Sequence, residues 1–110
     1  MAYDEDLAYR IRELLAAESD VTEKSMFGGL AFLISGNMAV AASGQGGLML
    51  RVAPEETASY LRRAHTSPMI MSGREVRGWL RVADDGFRTK RDLRRWIDVG
   101  VGFARTLPAK

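Results

Sequence analysis

The sequence predicts an α+β fold in two layers, α-β-β-β-α-β-β-α, an antiparallel sheet with helices on one face. Three observations carry this reading. Apolar residues recur at helical spacing near both ends of the chain, and strict alternation marks the stretches around residues 48–52 and 76–83. Glycine-rich turns join successive strands into a meander. With 110 residues, 46% hydrophobic and 27% charged, there is material for one packed core, so 1–110 reads as a single domain.

The first helix is expected from Asp4 to Ala17, because Leu7, Ile11, Leu14 and Leu15 share a face and Asp4, Glu5 and Asp6 suit its positive N-terminal end. After the polar break Glu18-Ser19-Asp20, the chain from Lys24 to Val52 reads as three strands. Ser35-Gly36-Asn37-Met38 offers a two-residue loop with glycine in front, as a primed hairpin turn requires, and Gly44-Gln45-Gly46-Gly47 a looser one. In the third strand Leu48, Leu50 and Val52 point one way, Met49 and Arg51 the other. Pro54 opens a second helix that reaches about Ala64, with Glu55 and Glu56 at its start and Arg62, Arg63 and His65 at its end. Met69 to Met71 are extended. A strand around Val76 to Ala83 follows, with Leu80 and Val82 opposing Arg77, Trp79 and Arg81, and closes at Asp84-Asp85-Gly86. In the last helix Thr89 caps, with Asp92 three residues on, and Leu93, Trp96, Ile97, Gly100, Ala104 and Leu107 fall on one stripe before Pro108. Gly100 and Gly102 each cost a helix about 1 kcal/mol relative to alanine, so a close backbone approach is expected there.

Composition excludes several chemistries. Without cysteine there is no disulfide, thiolate metal site or thiol nucleophile. The acidic start Met1-Ala2-Tyr3-Asp4-Glu5-Asp6 is unlike a secretory leader, and no apolar run approaches about 20 residues, so a cytoplasmic location is expected. Net charge is only +2, while thirteen arginines lift the sequence pI to about 9.3; the position of those arginines therefore matters more than their number.

No catalytic, cofactor-binding or metal-ligating set emerges. The one histidine, His65, reads as a helix-terminal charge rather than a catalytic base. Glu55-Glu56 and Asp84-Asp85 read as helix-start and turn residues. Ser43-Gly44-Gln45-Gly46-Gly47 precedes a strand, whereas a phosphate cradle precedes a helix. The candidate binding face is Arg77, Trp79 and Arg81, joined by Met49 and Arg51, where basic and aromatic groups alternate as they do in single-strand nucleic-acid binders and in subunit contacts. Lys90, Arg91, Arg94, Arg95 and Arg105 read as the solvated side of the last helix, paired with Asp92 and Asp98. Val99 and Phe103, beside its core stripe, are a candidate dimer contact.

Met26-Phe27-Gly28-Gly29-Leu30-Ala31-Phe32, Gly36-Asn37-Met38, Leu50-Arg51-Val52 before Pro54-Glu55, Pro68-Met69, Gly78-Trp79 and the run from Leu93 to Pro108 resemble, in order, the TfoX N-terminal domain family. The resemblance implies a two-layer fold similar to secretion-chaperone-like domains, often dimeric. It also implies a role in TfoX/Sxy proteins, bacterial regulators of natural competence that act with a transcription activator and carry a second, helical domain. A stand-alone N-terminal domain is then expected to keep the partner-binding half. The expectation is a non-catalytic regulatory module without cofactor that binds protein, as a homodimer. Direct nucleic-acid binding through the Arg/Trp face, and an enzyme whose site is assembled from distant residues, are the alternatives.

Overall fold

The computed structural model describes residues 3–26 and 28–110. Asp4 caps α1 (Glu5–Leu14): its carboxylate accepts from the Asp6 and Leu7 amides at 2.9 and 3.2 Å. The helix stops short of the expected Ala17, and residues 15–17 leave it as a turn. Leu7, Ala8, Ile11 and Leu14 are its buried face.

Four strands, not three, form before Pro54: β1 (Val21–Met26), β2 (Gly29–Ile34), β3 (Asn37–Ala42) and β4 (Leu48–Arg51). The extra reversal falls between Met26 and Gly29, which pair directly; Gly28 takes a φ of 78°, and Phe27 lies outside the described residues. An apolar run with no polar punctuation reads as one strand, and only the left-handed glycine gives the turn away. The next turn is Ser35-Gly36, with φ of 49° and 85°, so glycine comes second and Asn37 already belongs to β3. Two positive φ values are what a type I′ hairpin needs.

After β4, Pro54–Glu56 make a 3-10 turn and α2 (Thr57–Tyr60) is a single helical turn, shorter than expected. Arg62, Arg63 and His65 consequently lie beyond the helix, and His65 has a φ of 69°. The extended stretch at Met69 is β5 (Thr66–Met71), and β6 (Arg74–Val82) returns beside it through Ser72-Gly73, again with two positive φ values.

The six strands form one antiparallel sheet in the order β1-β2-β3-β4-β6-β5. The α+β class and its layering therefore hold, with one strand added to the meander. α3 (Lys90–Ala104) opens on Thr89, whose hydroxyl accepts from the Asp92 amide at 3.0 Å, and lies across β3 and β4. Phe32, Leu48, Leu50, Leu80 and Leu93 are fully buried between sheet and helices. Gly100 fits the expectation of close approach, since a Cβ there would stand 2.6 Å from the Ala39 carbonyl oxygen. Gly102 does not: it is exposed, with nothing near enough to touch a methyl group. No helix among the described residues is long and apolar enough to cross a membrane.

Candidate interaction face

Alternation along each strand decides what the other sheet face presents. Leu30, Phe32 and Ile34 of β2 and Leu48 and Leu50 of β4 turn toward the helices, so Ala31, Leu33, Met49 and Arg51 turn away. On β6, Leu80 and Val82 are core, and Trp79 and Arg81 face outward. Among the described residues no helix covers this side.

The uncovered face is a trough. Met26 on β1 and Met71 on β5 stand at opposite edges of the sheet yet line one hollow; in a flat sheet of six strands those edges would be about 24 Å apart. The sheet is thus strongly curled. Two adjoining hollows, about 410 and 470 Å³, occupy the concavity, and the same five methionines line both: Met26, Met38, Met49, Met69 and Met71. These are all the methionines of the chain after Met1. β5 places two of them on this side because Met69 and Met71 stand two residues apart on one strand.

The charged side chains lining the hollows are Lys24, Arg51, Arg81 and Lys110, and among the described residues no aspartate or glutamate side chain lines them. Arg81 is held in place: its Nη1 donates to Ser43 Oγ at 3.1 Å and its Nη2 to the Gly46 carbonyl at 2.9 Å, tying the β3–β4 turn to β6. Arg51 lies 5.5 Å from the Trp79 ring centre and 5.6 Å from that of Phe103, a cation between two aromatic groups. Neither arginine, nor Lys24, forms an ion pair among the described residues, where the pairs are Arg12–Glu23, Arg88–Asp85 and Arg105–Glu18.

Of the five residues read from the sequence as one face, Met49, Arg51, Trp79 and Arg81 share this trough. Arg77 does not line it: its Nη2 donates to the Pro54 carbonyl at 3.2 Å. Gly78, with a φ of 90°, intervenes between Arg77 and Trp79. Its amide donates to the buried Thr57 hydroxyl oxygen at 2.8 Å, and its carbonyl accepts from Val52. The methionines other than Met49 escaped the sequence reading. Apart from Met69 and Met71 they stand far from one another in the chain; a parity count from Val21 would have found Met26, whereas the irregularity in the β2–β3 pairing takes Met38 off the parity of Val40.

Val99 and Phe103 lie elsewhere, in a separate hollow of about 470 Å³ between α3 and the 3-10 turn, together with Tyr60, Glu55, Glu56 and Asp98. Val99 packs partly into the core. Lys90, Arg91, Arg94 and Arg95 are exposed, and of that basic group only Arg105 has an ion pair, with Glu18 rather than with the aspartates of its own helix. Among the described residues no three His, Cys, Asp or Glu side chains converge. Two carboxyls sit below their ordinary range, Glu23 through its hydrogen bonds to Arg12 and Asp85 through those to Arg88, both at the surface and away from the trough.

No curated protein and no solved structure matches the chain significantly. The family model of the TfoX N-terminal domain matches residues 13–104, which take in the whole six-stranded sheet with α2 and α3, and α1 only from residue 13 on. The chain belongs to the TfoX N-terminal domain family, and so to a domain associated with the regulation of competence.

Proposed function

We propose that this chain is a non-catalytic, cytoplasmic regulatory module that acts by holding a protein partner in the trough, as part of the control of transcription in competence. The observation that carries this reading is the methionine lining. Unbranched thioether side chains adapt to the shape of what they meet, and surfaces rich in them serve variable protein contacts. An active site needs converging groups with distinct ionisation behaviour, whereas the ionisable groups of this lining are cations alone. Nucleic acid is the weaker alternative, because Trp79, the ring that would stack on a base, already carries the Arg51 guanidinium. Self-association through Val99 and Phe103 is a second reading, favoured by the hollow they line. It brings Glu55, Glu56 and Asp98 of two copies together, so added salt strengthens it, and light scattering at low and high salt tests it.

The test replaces Met71, 45% exposed at the mouth of the trough, with a photo-crosslinking residue in the living cell. A protein adduct is expected, lost when Met49→Asp places a charge in the floor. Adducts unchanged by Met49→Asp, or none with protein, overturn the reading.

A further inference from the structure

Resting on the partner-binding reading above, we infer that the trough receives an acidic amphipathic helix, its apolar stripe against the methionines and its carboxylates against Lys24, Arg51 and Arg81. Two features of the trough select this occupant.

The first is what the floor lacks. β2, β3, β4 and β6 are interior strands, and over Leu30–Phe32, Val40–Ala42, Leu48–Leu50 and Leu80–Val82 they pair on both sides, so the backbone N–H and C=O groups there are spent within the sheet. The floor between them presents Ala31, Leu33, Ala41 and the methionine side chains. An extended peptide laid there would leave its own backbone groups against thioethers and methyls, each without a partner. A helix satisfies its backbone internally and offers only side chains. Three helical turns span roughly 16 Å and about 10 Å in width, within the 32 × 30 × 27 Å extents of the molecule.

The second is charge. Among the described residues the lining cations carry no ion pair, and no acidic side chain lines the hollows to compensate them. Carboxylates along the flanks of an incoming helix would complete this arrangement, while lysines or phosphodiester-binding arginines on the partner would repel it. Arg51 and Arg81 are already oriented by their own contacts, so little side-chain freedom is lost when an acid meets them. A second copy of the chain has no suitable helix to give among the described residues: α1 and α3 bury their apolar stripes in their own core, and α2 is a single turn.

The 110-residue chain is titrated with a synthetic helix of about 14 residues, leucines at helical spacing and glutamates on the flanks, and with a counterpart in which lysine replaces every glutamate. Trp79 emission and calorimetry are the readouts. The glutamate peptide is expected to bind about tenfold more tightly than the lysine peptide. Lys24→Glu, at an exposed position, reduces that preference, and Met71→Asp weakens the glutamate peptide while leaving the circular dichroism spectrum unchanged. Equal binding of both peptides, no binding of the glutamate peptide, or indifference to both substitutions overturns the inference. So does a Trp79 response to decanoate that the glutamate peptide fails to compete away, which would mark a lipid site. Sequencing the segment crosslinked at position 71 separates this inference from its basis: a protein adduct through a basic or extended segment sinks the acidic helix and leaves partner binding standing, whereas the absence of a protein adduct sinks both.

Discussion

Two glycines two residues apart on α3 have opposite roles. At Gly100 an added methyl would meet the Ala39 carbonyl oxygen at 2.6 Å and the Val40 side chain at 2.8 Å, so the helix can lie this close to β3 only without a side chain there. At Gly102 there is open space. Gly100→Ala is therefore expected to cost about 1–3 kcal/mol by overpacking, and Gly102→Ala to raise stability by up to about 1 kcal/mol through helix propensity. Urea melts of the two variants check this, and a stable Gly100→Ala would refute the close approach. Both were legible only as unusual helix residues; which one touches a backbone depends on the rotation of α3 over the sheet, and that is set by Leu93, Trp96 and Ile97 together.

At the scale of elements, local chemistry was readable and long-range placement was not. The Thr89 cap, the Pro54 start and the turn chemistry at Ser35-Gly36 follow from residues within a few positions of each other, and they come out at or within one residue of expectation. The split of β1 from β2 rests on Gly28 alone inside an apolar run, and α2 ends early because Thr66, its hydroxyl donating to the Tyr60 and Arg63 carbonyls, starts β5 almost at once. One contact between elements gives a pH signature. Arg12 of α1 donates Nε and Nη2 to Glu23 of β1 at 2.6 and 2.9 Å, which holds the Glu23 carboxyl below its ordinary range. A carboxyl whose folded value is depressed contributes stability above its unfolded value and loses it as pH falls through the folded one. Because the pair is half exposed, the contribution is under about 1 kcal/mol. Glu23→Gln is expected to lower stability at neutral pH by no more than that and to flatten its decline on acidification, as read by thermal melts between neutral and acid pH; an unchanged acid limb would count against the pair.

For the whole molecule, a single buried cluster joins α1, the sheet and α3, with Phe32 at its centre, fully buried. Phe32→Ala should cost about 3–5 kcal/mol and leave one unfolding transition rather than two, a result that calorimetry and circular dichroism together can check. The fold class was visible in the sequence because it depends on periodicity. The trough was half visible: Met49, Arg51, Trp79 and Arg81 are neighbours through direct pairing of β4 with β6, Met49 to Arg81 and Arg51 to Trp79, whereas Met26 joins Met71 only through the curl of the sheet. Curl is a property of six strands at once, and no window of sequence contains it.

Residues 108–110 are fastened beside the trough: the Pro108 carbonyl accepts from the Asn37 side-chain Nδ2 at 2.9 Å, and the Lys110 backbone amide donates to the Ser35 carbonyl at 2.8 Å. Any segment grafted after Lys110 would start its path at the rim, so a short flexible tether would hold it there at roughly millimolar effective concentration. Even a feeble ligand fused at that point would be captured in cis, which makes Lys110 a natural place from which to build an intramolecular sensor or a self-blocked variant.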